Sequence, residues 1–237
     1  MSTIERFHAC LTSYATSHAI RSQVYTKVIA GAHDILSHRR AENQLRPPGF
    51  NIFYALGHAY REVGTHSAML AYLLDPMKGH DQGTLFLSLF LDALKKAADS
   101  QGLDINIPRV ESAVGWSCRK EFVLPEPLGR LDLMLQGPEI LIVVENKVRA
   151  GLGPDQLDRY WSFAEKHARA GGRKPILVYL TPDGEKPTGG GQAGEKTLIP
   201  LSYRYDLYSF LRLSVGSVKA ISVAEVVRQY ADLVRDI

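Results

Sequence analysis

GRLDLMLQGPEILIVVENK, residues Gly129–Lys147, has the pattern of a β-hairpin. Two apolar runs, Leu131–Leu135 and Ile140–Val144, flank a break at Gly137-Pro138. Both faces of the second run are apolar, which favours a central strand that is buried on both sides. We therefore expect this hairpin to lie in the middle of a sheet rather than at its surface.

Three charged residues interrupt these strands: Asp132, Glu145 and Lys147. A charge in a buried strand costs several kcal/mol unless it is paired or binds a metal. Side chains alternate between faces, so Glu145 and Lys147 share a face. A tight turn centred between Pro138 and Glu139 sets Asp132 opposite Glu145, with Cβ atoms roughly 5 Å apart. If the turn moves by one residue, the two acids become diagonal neighbours that still share the face.

Two carboxylates this close repel each other unless a cation lies between them. Hard oxygen ligands favour Mg²⁺, which keeps several waters and uses one or two carboxylates. A lysine two residues further on could orient or deprotonate a water, and such parts support metal-assisted hydrolysis of a phosphodiester. The alternative is a hairpin with a solvated charged face, because an Asp-x₁₂-Glu-x-Lys pattern by itself is loose.

Asp132, followed by Glu145-Asn146-Lys147 at the end of the next strand, resembles the PD-(D/E)XK nuclease superfamily. Leu131 stands where the name of the superfamily has proline. Gln156 and Tyr160 resemble the Gln-xxx-Tyr element of its exonuclease-like branch. Upstream motifs resemble a bacterial stand-alone branch: Arg61-Glu62, His66-Ser67, Leu73-Leu74-Asp75-Pro76 and Gly79-His80. The resemblance covers roughly residues 60–180.

The resemblance implies a three-layer, restriction-endonuclease-like α/β core in which helices flank a mixed central sheet. It implies Mg²⁺ or Mn²⁺ as the cofactor, bound by Asp132, Glu145 and the Asn146 carbonyl. Lys147 would position the attacking water. Glu62 and Gln156 are further candidates for the catalytic site. The expected substrate is DNA, and the candidates for contact with it are Tyr160, Arg130 and Arg149.

The rest of the domain fits this arrangement. A helix from about residue 154 to 170, followed by the apolar run Pro175–Thr181, predicts a right-handed parallel crossover next to the hairpin. Two C-terminal helices, about Asp206–Leu213 and Val223–Val234, would cover one side of the sheet. Upstream, residues 52–74 read as one or two helices broken at Gly64.

Glu62 and His66 are four residues apart and would share a helix face. Two readings stay open: Glu62 points at the metal site, or the pair is hydrogen-bonded and closes a helix end. Glu121, in the strand before the hairpin, is a further candidate for the site, although an exposed strand acid is the ordinary reading.

The predicted organisation is an N-terminal helical extension, residues 1–50, and a nuclease-like domain, residues 51–237. The extension reads as a pair of helices that end before Arg46-Pro47-Pro48-Gly49. Its role could be packing, substrate binding or formation of a homodimer.

Composition limits the partners and the compartment. A net charge of +3 permits binding to nucleic acid but does not argue for it. Cys10 and Cys118 form neither a metal motif nor a disulfide framework, so the cytoplasm is the expected setting. The N-terminus has no signal pattern, and no apolar run approaches the ~20 residues that span a bilayer, so no membrane partner is expected.

The function that these observations favour is a Mg²⁺-dependent nuclease, with a bacterial defence or DNA-processing role implied by the resemblance. The alternative is a non-catalytic nucleic-acid-binding or partner-regulating module on the same fold. The choices between DNA and RNA, and between endonuclease and exonuclease, stay open.

Overall fold

The computed structural model describes residues 3–45, 47–125, 129–149, 151, 153, 155–187 and 198–237. The chain forms two compact units, Met1–Phe50 and Asn51–Ile237. None of the helices in these described ranges is both long and apolar enough to cross a lipid bilayer.

The first unit contains one helix, α1, Thr3–Leu45. The sequence predicted a pair of helices here, which is wrong: helical structure continues without a break over 43 residues. Residues 3–45 contain no proline and only one glycine, Gly31, so nothing in the backbone forces an end before Pro47.

The second unit is built on a five-stranded sheet in the order β1-β2-β3-β4-β5. Its strands are β1, Ser117–Val123; β2, Arg130–Gln136; β3, Ile140–Asn146; β4, Lys174–Thr181; and β5, Leu198–Ser202. β1, β2 and β3 are antiparallel neighbours, whereas β3–β4 and β4–β5 are parallel. The sheet is therefore mixed, as predicted, and all seven residues of β3 are buried.

The described residues of this unit form six helices: α2, Ile52–Ala55; α3, Ala68–Leu74; α4, Leu85–Ser100; α5, Gln156–Ala170; α6, Tyr208–Ser217; and α7, Ile221–Arg235. Two π-helical segments, Glu62–Ser67 and Tyr203–Leu207, lead directly into α3 and α6. The first one corrects the predicted break at Gly64, because the chain continues through that residue in wider helical turns.

Helices cover both faces of the sheet and make three layers. On one face, α3, α4, α6 and α7 contribute to the same hydrophobic cluster as alternate β3 residues such as Ile142 and Val144. On the other face, α5 packs its buried side chains against Leu141 and Val143. Since faces alternate along β3, Glu145 and Lys147 belong to the α5 side, and Asn146 belongs to the opposite side. This alternation therefore decides on which face of the sheet each charged residue of the hairpin lies.

β5 is a strand that was not predicted from the sequence. This strand contains Pro200, which cannot donate a ladder hydrogen bond, and it lies at the edge of the sheet where that loss is tolerated. Apart from this strand, the predicted three-layer α/β fold is confirmed.

Candidate active site

The site begins where β2 and β3 run side by side. Leu133 pairs with Val144, and continuing that register sets Asp132 opposite Glu145. The Asn146 N–H donates a 2.8 Å hydrogen bond to Asp132 Oδ2, which holds the Asp132 carboxylate against β3. The predicted hairpin and its register are confirmed, and the register brings the two acids to the same face.

Glu145 is 1% exposed, and its two carboxylate oxygens have different surroundings. Oε1 lies 2.7 Å from Lys147 Nζ and accepts a 2.7 Å hydrogen bond from Gln156 Nε2. Oε2 is buried and has no hydrogen-bond partner in the described part of the chain. Leaving a buried carboxylate oxygen unpartnered costs free energy, so a bound cation or a proton shared with Asp132 would stabilise this atom.

Burial and the neighbouring charges also change the pKa values of the two acids. Burial, and then the negative charge of Asp132, raises the pKa of Glu145 to about 8, although the ion pair with Lys147 works in the opposite direction. Burial also raises the pKa of Asp132. Burial disfavours the charged form of Lys147, but its hydrogen bond to Glu145 and the nearby carboxylates outweigh this and raise its pKa. The pair of acids therefore tends to hold a proton that a divalent cation would displace.

α5 supplies Gln156 and Tyr160 from the face that covers the sheet. The Gln156 amide donates to Glu145 and also, at 3.0 Å, to the Tyr160 hydroxyl. The Tyr160 ring is 4% exposed, and its hydroxyl donates to the Arg130 carbonyl at 2.5 Å. Tyr160 thus links α5 to β2 and holds Gln156 in place. Its burial and its satisfied hydroxyl favour this positioning role over the predicted contact with nucleic acid.

Glu62 reaches the site from the first π-helical segment. Its Oε1 accepts hydrogen bonds from the Val148 and Arg149 N–H groups at 2.7 and 2.8 Å, which ties down the chain as it leaves β3. His66 turns the other way: its ring bonds to the Ala59 carbonyl at 2.9 Å and to the Tyr230 hydroxyl at 3.2 Å. Glu62 and His66 thus have hydrogen-bond partners on different parts of the fold, the chain after β3 for Glu62 and α7 for His66, although the negative charge of Glu62 still acts on the pKa of His66.

A sequence model of the PD-(D/E)XK nuclease superfamily matches residues 50–232. The chain belongs to this superfamily. Comparisons with curated proteins and with solved structures gave no significant match. Membership indicates nuclease activity, and members of the superfamily typically use divalent metal ions.

The residues present in this superfamily member fit such an ion. Within the described ranges no group of three or more His, Cys, Asp or Glu side chains is arranged to hold a metal ion, so the candidate donors are the pair Asp132 and Glu145. Mg²⁺ is commonly held by one or two carboxylates together with water, and the unpartnered Glu145 Oε2 supplies an available ligand.

Behind these acids lies a buried polar network that the sequence analysis did not find. The Tyr203 hydroxyl donates to Asn146 Oδ1 at 2.6 Å. The Asn146 amide nitrogen donates to Ser67 Oγ at 3.2 Å and to the Glu62 carbonyl at 3.3 Å. Asn146 therefore connects β3 to the π-helical segment that carries Glu62. Only the face alternation of β3 signals its inward direction; no local pattern marks Ser67 or Tyr203 as its partners.

Two arginines predicted to contact nucleic acid lie at exposed positions next to these residues. The Arg130 side chain is more than half exposed and forms a 2.9 Å ion pair with Glu121. Glu121 is therefore an acid of the protein surface. Arg149 is exposed, and its guanidinium carbon lies 3.6 Å from the centre of the Tyr60 ring.

Proposed function

We propose that this protein is a metal-dependent nuclease that hydrolyses phosphodiester bonds of nucleic acid, with DNA as the main substrate. The observation that carries the proposal is the unpartnered, buried Oε2 of Glu145 beside a second carboxylate, Asp132, with Lys147 on the same face. A solvated hairpin would not bury these groups.

Asp132, Glu145 and the Asn146 carbonyl would hold Mg²⁺ or Mn²⁺. The Asn146 N–H points towards Asp132, and the N–H and C=O of one strand residue point to the same edge, so its carbonyl is directed the same way. The bound ion would supply Lewis-acid activation and neutralise the charge that develops on the phosphate.

Lys147 carries the positive charge nearest to the acids. Its raised pKa keeps the ammonium protonated at neutral pH, and one of its three donors is taken by Glu145. The remaining donors are available to orient the attacking water and to stabilise the negative charge of the phosphate. Gln156 fixes Glu145 through Oε1, so that Oε2 stays directed away from the lysine.

Glu62 and Tyr160 act by positioning. Glu62 fixes the backbone after Lys147 through two N–H groups, and Tyr160 fixes Gln156. Arg130 and Arg149 would contact the nucleic acid, because their guanidinium groups are exposed. A cytoplasmic role in bacterial defence or DNA processing, and a homodimer formed through α1, belong to the same proposal.

The test is a cleavage assay with linear duplex, circular duplex and single-stranded DNA, and with RNA, in Mg²⁺ or Mn²⁺ and in EDTA. Glu145→Ala should lower the rate on the order of a hundredfold or more, because it removes a metal ligand and the partner of Lys147. Glu165→Ala is the matched control, since its carboxylate pairs with Arg169 at the surface of α5.

Equal cleavage by the parent and Glu145→Ala would refute the proposed site. Binding of nucleic acid without cleavage by either protein would instead favour the non-catalytic module. Cleavage that persists in EDTA would remove the metal from the proposal.

A further inference from the structure

A cleft of about 360 Å³ lies beside the candidate active site. Tyr60 and Arg149 line one part of it, and Arg204 and Asp183 line another. Arg204 forms an ion pair with Asp183 and donates to the Ile237 carbonyl. Val148 and Ile237 also line the cleft and belong to the larger hydrophobic cluster, whereas Tyr60 does not.

The wall formed by Tyr60 and Arg149 is suited to stacking. Tyr60 is 43% exposed, which is high for an aromatic residue of a folded unit, and the Arg149 guanidinium lies over its ring at 3.6 Å. This cation–π contact holds the guanidinium against the ring, and both planar groups are platforms on which nucleobases stack.

The charges around the cleft favour a base over a phosphate. Arg149 and Arg204 are balanced by Asp183 and Asp236, so a phosphate bound there would meet two carboxylates. An uncharged heterocycle with hydrogen-bond donors and acceptors meets no such repulsion. It could use the carboxylates as acceptors and the guanidinium groups as donors.

The cleft adjoins the reacting residues through short pieces of backbone. Arg149 lies two residues after Lys147, and Tyr60 lies two residues before Glu62. Glu62 binds the N–H groups of Val148 and Arg149, so both sides of the stacking wall are fixed to the same carboxylate. A base in the cleft therefore belongs to a nucleotide close to the phosphodiester at the acids.

We propose that this cleft holds one unpaired nucleobase next to the scissile phosphodiester, so that the protein selects single-stranded nucleic acid or an unpaired end. A base within a duplex is stacked on both sides and cannot present its face to Tyr60 and Arg149. The inference rests on the proposed nuclease function, and it adds the strandedness of the substrate.

The test measures binding of the full-length chain to a single-stranded oligonucleotide that carries 2-aminopurine, with Ca²⁺ in place of Mg²⁺, and to the matching duplex. The fluorescence of 2-aminopurine should fall on binding as the base stacks. Tyr60→Ala and Arg149→Lys should each weaken single-strand binding about tenfold and restore the fluorescence. Arg149→Lys retains the charge, so its effect isolates the planar stack.

Two controls match the test residues in exposure or charge. Tyr72 is 42% exposed and contacts His80, and Arg169 is an exposed partner of Glu165. Tyr72→Ala and Arg169→Lys should leave single-strand binding within twofold. Denaturation curves of all four variants show whether each one is folded.

Each result decides the inference separately from the nuclease proposal. Equal losses for single strand and duplex, unchanged binding of Tyr60→Ala, or fluorescence that does not fall would overturn the base cleft, even if the parent cleaves DNA. Stacking that depends on Tyr60, in a protein that cleaves nothing, would support the cleft and refute the nuclease.

Discussion

Glu145→Gln should stabilise the metal-free protein while it abolishes cleavage. Glutamine has nearly the shape of a protonated glutamic acid, but it cannot ionise. In the folded chain the pKa of Glu145 is about 8, against 4.5 for an ordinary glutamate, because the group is buried and lies beside Asp132. At pH values between 4.5 and 8, Glu145 therefore keeps its proton in the folded state and has lost it in the unfolded state.

The sign and size of the effect follow from this difference. Stability of the parent falls as pH rises through the window from 4.5 to 8, since the unfolded chain binds fewer protons there. The resulting cost is about 1 kcal/mol at pH 5 and about 3 kcal/mol at pH 7. Glutamine removes this cost, so the gain in stability should grow with pH over the same window.

The assay is urea unfolding of both proteins at pH 5 and pH 7 in EDTA. Glu165→Gln is the control, because its side chain is 40% exposed in an ion pair on a helix surface; its stability should change little at either pH. Added Mg²⁺ should stabilise the parent but not Glu145→Gln, because a ligand that binds only the folded state shifts the equilibrium. A gain that is the same at both pH values, or a loss at pH 7, would refute the reasoning.

Two further predictions concern the buried residues behind the acids. Tyr203→Phe should lower the free energy of unfolding in urea by about 1–3 kcal/mol, because Asn146 Oδ1 loses its buried donor. The control Tyr205→Phe should change it very little, because Tyr205 is 65% exposed. Equal losses for the two variants would contradict the network. His66 has its pKa lowered to about 4 by burial, so stability is lost as pH falls from 6.5 towards 4. His66→Gln should remove about 2 kcal/mol of that loss between pH 7 and pH 5 in parallel unfolding curves, and unchanged pH dependence would exclude the assignment.

Much of the fold follows from local pattern. The apolar runs of the hairpin and the break at Gly137-Pro138 specify β2 and β3, and the strand–helix–strand order specifies the parallel neighbour β4. β5 escaped detection because it is five residues long and contains a proline. The continuous helix α1 was predicted as two helices, although no helix-breaking residue marks a boundary within Thr3–Leu45.

In the candidate site, too, some residues could be grouped from the sequence and others could not. Asp132, Glu145 and Lys147 could be grouped from sequence because the period of a strand is two, and a hairpin needs only a turn position to set its register. The outcome for Glu62 and His66 could not be predicted. α-Helical spacing puts the pair on one face, and only the packing of the π-helical segment against Tyr230 and the β3 end decides which partner each side chain bonds.

By itself, the sequence determined the hairpin, the face shared by the two acids and the lysine, and the superfamily. These depend on contacts between residues close in the chain or paired across one turn. The tertiary structure decided the inward partners of Asn146, the positioning role of Glu62 and the stacking wall of Tyr60 and Arg149. The bond from Tyr203 to Asn146 joins residues 57 positions apart, and that from Val148 to Glu62 spans 86. Such contacts form only when separate helices pack onto the sheet, and no local period encodes them.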